Sequence, residues 1–514
     1  MAPVDPRTPV IIGVGQSVDR FDAPDYHGWS GPDLAAAAAR AALADAAATG
    51  DVASAIDAIA TTRTFEDSTP APAPFGKASN FPRSIARRLG IAPRHALWTK
   101  AGGNTPQDLV AELGARIVAG EFEAALIAGA EAISTVRHAT RNGAVLDFAE
   151  DADGQVEDRG MGLEDFADPL TYRAGLTAAP LYYALAENAR RARLGQDRAG
   201  YDAAMGALFA PFSAVASDNP FSASAVNAYS PEELTTVTPH NRWIAHPYPL
   251  RLVARDQVNQ GAAVIIASVA TARRLGVPEE KFVFLHGHAH AREKLLLHRP
   301  DLGASPAATA AARAALDMAE TTAAGIDAFD FYSCFPIAVS NVAIDGMGLA
   351  ADDPRGLTVT GGLPFFGGPG NNYSMHAIAE IVARARRRPG SRGFVGANGG
   401  FLSKYSVGIY STAPAPWRDD RSAALQSALD AAYGPPVDPA FIGQGMLESF
   451  TIRFDQGEPR YAVIAGRTPD GARFIARSDA GDAGMIGTLL EEDRFGSPVA
   501  VSAGDKGGIA AFAR

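Results

Sequence analysis

The chain has 514 residues, of which 47% are hydrophobic and 20% charged, the balance of a soluble globular protein of two to four domains. Its formal net charge of −11 argues against a dedicated binder of nucleic acid or of anionic membranes. The single cysteine, Cys334, excludes an internal disulfide and fits a reducing compartment. No apolar run approaches the ~20 residues that span a bilayer, and no signal peptide is visible, so a cytoplasmic protein is expected.

Short apolar strands alternate with amphipathic helices at the start of the chain, which predicts a layered α/β core. A helix is expected to begin at Ser30, because Ser-Gly-Pro-Asp is a helix-start signal, and its alanines run to about Ala48. The other predicted elements are strands near 9–15, 55–62, 96–99 and 124–130 and a helix over 107–119.

Residues 135–240 interrupt this alternation. They are polar and rich in loops, with helices predicted over 182–193 and 198–209. We interpret them as an insertion that forms a lid or holds substrate. The core resumes with a buried strand over 261–267.

A second α/β unit starts near residue 282 and repeats the order of the first. The stretches "LWTKAGGNTPQDLVAELGARI" and "LTVTGGLPFFGGPGNNYSMHAIAEI" both run from a strand through a glycine turn into a helix, which indicates a tandem duplication. The predicted elements are helices over 306–320 and 373–386 and strands over 282–286, 329–333, 357–360, 394–396 and 405–411.

The end of the chain changes character. A proline-rich stretch over 412–417 is typical of a linker, and after residue 440 short alternating strands are separated by Gly, Asp and Pro turns. This predicts a small β-barrel or sandwich. The predicted division is 1–275, 276–413, a linker over 414–439, and a β-rich domain over 440–514.

Four further motifs follow one another along the chain: "QGAAVIIAS" (260–268), "FDFYSCFP" (329–336), "GGLPFFGGPG" (361–370) and "ANGG" (397–400). On these motifs and their order, residues 8–413 resemble the thiolase superfamily. The resemblance implies a duplicated α/β thiolase fold, a five-layer αβαβα core with a loop insertion. The 440–514 segment resembles the additional C-terminal domain of type 1 thiolase-like proteins.

The resemblance also implies where catalytic residues would lie. In the family, a cysteine at a helix N-terminus takes the acyl group, a histidine assists it, and a second cysteine is the acid/base. These roles fall on Gly103, Gly368 and Ala397, none of which can perform them. Tyr332 falls where the family orients a catalytic water. The resemblance therefore implies a cleft that can bind an acyl thioester at helix N-termini without ordinary Claisen chemistry.

Three residues are candidates for a relocated catalytic site. Tyr332 occupies a site position and can donate a hydrogen bond, but a phenol with a pKa near ~10 is a poor base. Cys334 is explained more readily as a buried core residue, although a displaced nucleophile is the alternative. His376 lies about two helical turns beyond Gly368, where a core or interface histidine is the simpler interpretation.

Two further groups of polar residues have simple structural interpretations. Asn104, Asn371 and Asn372 lie at loop–helix junctions, where N-capping and turn formation explain them more readily than the alternative of amide donors that face a ligand. His286, His288 and His290 share one face of a strand. A zinc site is the minority interpretation, because no carboxylate or cysteine is close in sequence. No metal and no resident cofactor are expected.

Three functions are compatible with these features. The first is an acetyl-CoA acetyltransferase-like protein of lipid metabolism that binds acyl-CoA or a related acyl thioester, with at most weak or unconventional acyltransferase activity. The second is an active acyltransferase that uses Cys334 or Tyr332. The third is a non-enzymatic scaffold or subunit that recruits a partner through residues 440–514. The protein is expected to be a homodimer or a monomer, without nucleic-acid or membrane partners.

Overall fold

A computed structural model gives the structure of residues 4–163, 166, 168–504 and 507–512. Helix α1 begins where the sequence predicts, because Ser30 and Asp33 form a reciprocal capping box at its first turn. The first core elements are β1 (Pro9–Val18), α1 (Gly31–Asp45), β2 (Ala58–Thr61), α2 (Phe81–Leu89), β3 (His95–Trp98), α3 (Thr105–Val118) and β4 (Ala124–Glu131).

An insertion of mainly helical segments then precedes the last elements of the first half. Its members are α4 (Ile133–Asn142), β5 (Glu157–Asp158), α5 (Pro169–Arg173), α6 (Ala179–Leu194), α7 (Arg198–Asp218), α8 (Pro231–Thr235), β6 (Trp243–Ala245) and β7 (Tyr248–Pro249). The first half ends with β8 (Gln260–Ser268) and α9 (Val269–Arg274). In the described part of the chain, no helix is long and apolar enough to cross a membrane.

The second half repeats the first and is followed by the C-terminal domain. The second half contains β9 (Val283–Arg292), α10 (Pro306–Met318), β10 (Ala328–Phe331), α11 (Pro336–Val339), α12 (Tyr373–Arg387), β11 (Arg392–Gly399), β12 (Lys404–Ser411) and α13 (Ser422–Ala431). The C-terminal domain contains β13 (Gly443–Asp455), β14 (Glu458–Arg467), β15 (Arg473–Arg477), α14 (Ala483–Glu491), β16 (Pro498–Gly504) and β17 (Gly507–Ala511).

Strand order confirms the duplication. The first half has the order β3-β2-β4-β8-β1 and the second has β10-β11-β12-β9, and the two sheets meet through a short antiparallel contact of β1 with β9. Helices α3 and α12 lie between the two sheets, where Leu109, Leu113, Ile378 and Ile381 share one buried cluster. Helices α1 and α2 cover the outer face of the first sheet and α10 packs on the second, which gives the expected five layers.

The predicted strand over 357–360 is wrong. The segment lies beside β10, and the Phe331 N–H donates to the Leu357 carbonyl. However, the N–H groups of Val359 and Thr360 donate to the buried Asp330 carboxylate, at 2.9 and 3.0 Å. A side chain has taken the hydrogen bonds that a regular strand would give to its neighbour.

The segment 414–439, interpreted above as a linker, contains helix α13, which packs on α10 and β9. The chain before this helix is held by the histidines of β9. His286 Nε2 binds the Ala413 carbonyl at 2.8 Å and His288 Nε2 binds the Arg418 carbonyl at 3.0 Å. The segment therefore packs against the surface of the second half and is more than a connection between domains.

The C-terminal domain is a closed five-stranded barrel. Its strands follow the order β13-β14-β15-β17-β16, and β13 pairs with both β14 and β16. Helix α14 lies between β15 and β16, the third and fourth strands of the domain in chain order. This is the topology of an OB-fold. The insertion contributes to the same sheet, because β6 pairs with β13 at Ala245 and Arg453.

A buried arginine joins the barrel to the thiolase-like core. Arg473 is 0% exposed, and its guanidinium donates to the Leu297 and Arg299 carbonyls at 2.8 and 2.5 Å. It also binds Glu448 at 2.6 and 2.8 Å. Burial by itself raises the pKa of Glu448. The hydrogen bonds from the arginine outweigh this effect and hold the pKa below its ordinary value.

Replacing Arg473 should destabilise the whole protein. We expect Arg473→Met to lower the free energy of unfolding by about 3–5 kcal/mol, because it leaves buried acceptors without their partner. The measurement is the urea midpoint of the full chain. The matched control is Arg467→Met, since Arg467 also binds Glu448 but is more exposed and should cost about 1 kcal/mol or less. Equal shifts for both variants would contradict this account.

Candidate active site

The candidate site lies where the N-termini of α3 and α12 meet. The two glycine loops are fastened together by polar side chains of the second loop. Asn371 Oδ1 accepts from the Gly102 N–H at 2.8 Å, and Asn371 Nδ2 donates to the Arg63 carbonyl at 2.6 Å. Ser374 Oγ donates to the Gly103 carbonyl at 2.5 Å. These bonds hold the first loop in one position relative to the second.

The N-capping role predicted for Asn104 and Asn371 is wrong. No side chain caps α3 or α12 within the described residues. Asn104 Nδ2 instead donates to Asp108 at 2.6 Å, and Asn371 bridges the two glycine loops. The contact of Asn104 is local, within the start of α3. Asn371 and Asn372 form tertiary contacts, Asn372 by donating to the Gly129 carbonyl at 2.8 Å, because the second loop faces the first half of the chain.

Gly103 has no room for a side chain. A Cβ at this position would lie 2.5 Å from the Asn398 carbonyl oxygen and 2.7 Å from Tyr332 Cε2, and closer still to the Tyr332 hydroxyl. These distances are shorter than van der Waals contact. The tyrosine ring and the β11 backbone therefore fill the space into which a nucleophile at position 103 would project.

The other two positions implied by the resemblance differ from Gly103. Gly368 has more space, since a Cβ would lie 3.1 Å from the Arg255 carbonyl oxygen and 3.4 Å from Leu363. The Gly368 N–H already donates to that carbonyl at 2.7 Å. Ala397 is buried within β11, opposite Ser406 of β12. Neither position carries a group that could transfer a proton.

Tyr332 and the start of α3 present unused hydrogen-bond donors. Tyr332 is 7% exposed, and its ring packs edge-on against Tyr373 at 5.2 Å. Among the described residues, the Tyr332 hydroxyl and the N–H groups of Gly103 and Asn104 have no hydrogen-bond partner. Burial raises the pKa of Tyr332, so the phenol is neutral and a donor at physiological pH.

Cys334 contacts the side chain of Asn398. The Asn398 amide nitrogen is 3.8 Å from the Cys334 sulfur, and it also donates to the Tyr183 hydroxyl at 2.7 Å. Burial raises the pKa of Cys334 to about 12. The residue is a thiol at neutral pH, which is the unreactive form.

His376 is not part of this group. It lies in the central layer, where its Nδ1–H donates to Gln16 Oε1 at 2.7 Å, and the Gln16 amide in turn donates to Glu380 at 2.9 Å. Burial lowers the pKa of His376 to about 3, so the ring is neutral. The structure thus brings together two of the three predicted candidates, Tyr332 and Cys334.

The three histidines of β9 serve other contacts. His286 and His288 bind backbone carbonyls, His288 also stacks on Trp417 at 5.1 Å, and His290 is 3.7 Å from Asp420. Within the described part of the chain, no three potential metal ligands lie close enough together to hold an ion. His286, His288 and His290 are therefore engaged in hydrogen bonds, stacking and an ion-pair contact.

Sequence reasoning missed Asn398 and Tyr183. Asn398 belongs to the "ANGG" stretch and touches both Gly103 and Cys334. Tyr183 comes from α6 of the insertion, and its hydroxyl donates to the Gly400 carbonyl at 3.1 Å. The glycine-rich context could have pointed to Asn398. Nothing local could have pointed to Tyr183, since its partners lie more than 200 residues away.

Comparison with known proteins identifies the family. Residues 424–506 match the family model described as "Thiolase-like protein type 1 additional C-terminal domain". The chain is 47% identical to a monomeric SCP2-thiolase-like protein type 1 from Mycobacterium smegmatis, of known crystal structure. The match covers 99% of this chain and 100% of that chain, with a TM-score of 0.86. The chain belongs to the SCP2-thiolase-like protein type 1 family.

More distant structures share the fold of this SCP2-thiolase-like chain. The "Ltp2-ChsH2(DUF35) aldolase" is 19% identical, with a TM-score of 0.57, over 80% of this chain and 100% of that one. An acetyl-CoA acetyltransferase from Syntrophomonas wolfei is 16% identical, with a TM-score of 0.53, over 79% and 99%. At these identities the likeness concerns the fold alone. No protein of curated function matches the chain.

Crowding at Gly103 can be tested with a double-mutant cycle. We expect Gly103→Ala to cost about 1–3 kcal/mol of stability through overpacking. In the Tyr332→Ala background the cost should be smaller by about 0.5–3 kcal/mol, because the ring is gone. Urea denaturation of the four proteins measures this coupling.

The control for the cycle is Gly487→Ala in α14, where a new Cβ meets no atom within 4 Å. This substitution should be neutral or stabilising by about 0.5–1 kcal/mol. A Gly103→Ala protein as stable as the Gly487→Ala protein would contradict the crowding.

Proposed function

We propose that the protein binds acyl-CoA or a related acyl thioester at the N-terminus of α3 and does not perform ordinary thiolase turnover. The observation that carries the proposal is the group of unused donors at this helix end, formed by the N–H groups of Gly103 and Asn104 beside the Tyr332 hydroxyl. Donors at a helix N-terminus suit a thioester carbonyl oxygen that carries partial negative charge.

The same surroundings argue against acyl transfer. A nucleophile needs a thiolate or an adjacent base, and Cys334 is held as a thiol by burial. Among the three predicted candidates, His376 has both a low pKa and a ring nitrogen committed to Gln16. Family likeness supports a thioester as the ligand, whereas none of Tyr332, Cys334 and His376 is in a form that would cleave it.

Contacts between the C-terminal barrel and helix α6 support a role for the barrel in positioning the candidate site. Helix α6 carries Tyr183 against Asn398, and further along α6 Asn188 donates to the Phe450 carbonyl of the barrel at 2.9 Å. Arg191 of the same helix binds Asp493 through two bonds of 2.8 Å. We propose that the barrel positions α6 and thereby the site. The alternative role of the barrel is recruitment of a partner, and no comparable contact among the described residues supports it.

We propose a monomeric state, and the edge of the first sheet supports it. Strand β3 is the last long strand of this sheet, and β5 pairs with its outer side at Leu97 and Trp98. Arg63 binds Asp158 of β5 and stacks on Trp98 at 4.1 Å. An edge already paired within the chain is closed to pairing with a second copy.

Binding and turnover are separable in one set of measurements. With purified protein, isothermal titration should detect binding of acetyl-CoA and acetoacetyl-CoA. Tyr332→Phe should weaken it about 2–12-fold, the value of one lost hydrogen bond of about 0.5–1.5 kcal/mol. The exposed Tyr433→Phe is the matched control and should leave affinity unchanged. Absence of binding to either thioester would refute the proposal.

The same samples with added CoA should show no thiolysis of acetoacetyl-CoA above the uncatalysed rate. Thiolysis at the rate of a true thiolase would overturn the proposal. If turnover is found and either Cys334→Ala or Tyr332→Phe abolishes it, the second hypothesis of a relocated site is correct.

Light scattering after size-exclusion chromatography should give the mass of one chain, 53.5 kDa, over a wide concentration range. The expected reason is the paired edge of β3. A mass near twice this value at micromolar concentration would contradict the monomer and favour the homodimer.

A further inference from the structure

A cavity of about 350 Å³ lies in the first half of the core, outside the candidate active site. It is enclosed by the N-terminus of α1, the loop over 64–78 and helix α4. Most of its wall is apolar and includes Phe65, Phe81, Ile133, Val136 and Phe148. The size suits a small organic molecule, and the lining predicts that its body is apolar.

Two buried carboxyl groups line this cavity, those of Glu131 and Asp67. Glu131, the last residue of β4, is 2% exposed. Among the described residues, the only hydrogen bond to its carboxyl group comes from the Phe65 N–H, which donates to Oε1 at 2.8 Å. The same Oε1 packs so closely on Gly370 that a Cβ there would clash with it. One carboxyl oxygen is therefore fixed, and the other has no protein partner.

The state of Glu131 follows from its surroundings. Burial, together with the nearby carboxylates of Asp67, Glu66 and Asp256, raises the pKa of Glu131 well above its ordinary value. A carboxyl group kept neutral in an apolar site can donate a hydrogen bond through its O–H. Its natural partner is an acceptor oxygen on a ligand.

Charges around the cavity disfavour anions. Lys77 lies 3.2 Å from Asp67, and Arg137 binds Asp256 through bonds of 3.0 and 2.7 Å. Glu66 also lines the wall, so the lining carboxylates outnumber the cations even when Glu131 is neutral. The phosphates of CoA are therefore unsuited to this cavity.

The cavity and the thioester site are separated by one stretch of chain. Residues 64–67 line the cavity, whereas the Arg63 carbonyl is bound by Asn371, which also accepts from Gly102. Gly370 lies in the same loop as Asn371 and touches Glu131. The two sites are thus neighbours with different walls and different charges.

We propose that this cavity binds an uncharged molecule with an apolar body and a carbonyl oxygen, which accepts a hydrogen bond from the Glu131 carboxyl group. The apolar wall holds the body, and the lining carboxylates of Glu66, Asp67 and Asp256 disfavour an anionic ligand. This site is additional to the thioester site and does not depend on it.

The probe for the test is 2-tetralone, a neutral bicyclic ketone. Isothermal titration of the full-length protein at pH 7 should detect saturable binding of 2-tetralone. The matching anion, 1,2,3,4-tetrahydro-2-naphthoate, should bind at least about 10-fold more weakly, because it repels the lining carboxylates and lacks the neutral acceptor. Absence of 2-tetralone binding, or tighter binding of the anion, would overturn the proposal.

Variants locate the binding. Val136→Phe, which fills the cavity, should abolish 2-tetralone binding, and Thr140→Phe places the same ring at an exposed position one turn further along α4, outside the cavity lining, and should leave it intact. Glu131→Gln keeps a neutral donor and should retain binding within a few-fold, whereas Glu131→Ala should lose about 10-fold or more. Unchanged binding in Val136→Phe would overturn the proposal.

Thermal melting of each variant checks folding. If Glu131→Ala unfolds, the pair Val136→Phe and Thr140→Phe still decides the question. Acetyl-CoA binding should be the same in Val136→Phe as in the parent protein, so a failure of this proposal is distinguishable from a failure of the thioester proposal.

Discussion

The hydrogen bonds that join the N-termini of α3 and α12 fix the position of the first glycine loop, and the geometry of the candidate site depends on that position. Asn371 binds Gly102 and Arg63, and Ser374 binds the Gly103 carbonyl. Because these groups are buried between the two sheets, an unmade bond here would cost about 1–3 kcal/mol. The first glycine loop is therefore held against β11, with Gly103 in contact with Asn398 and Tyr332.

The candidate site is built mainly from backbone groups. Its donors are helix N–H groups and one neutral phenol, and its only thiol is buried. The surrounding structure keeps this arrangement rigid. Helix α6 fastens the site to the C-terminal barrel through Tyr183 at one end and Arg191 at the other, and Arg473 joins that barrel to the core. The barrel is thus integrated into the fold rather than appended to it.

Most of the core architecture could be predicted from local patterns. Alternation and helix-start signals located α1, α3 and α12, and the repeated glycine turns revealed the duplication, because these features depend on neighbours in sequence. The errors came from long-range contacts. Residues 357–360 are not a strand because their N–H groups bind the Asp330 side chain, and Asn371 binds the opposite loop instead of capping its own helix. A side-chain partner from another part of the chain cannot be read from local pattern.

The sequence by itself determined that positions 103, 368 and 397 carry no reactive group in any conformation, since they are glycine, glycine and alanine. Only the tertiary structure decided what surrounds these positions and the candidate residues. Tyr332 fills the space beside Gly103, Cys334 is held as a thiol, His376 points elsewhere, and Glu131 faces a separate cavity. The reason is physical: side-chain identity is local, whereas burial, proximity and pKa arise from residues hundreds of positions apart.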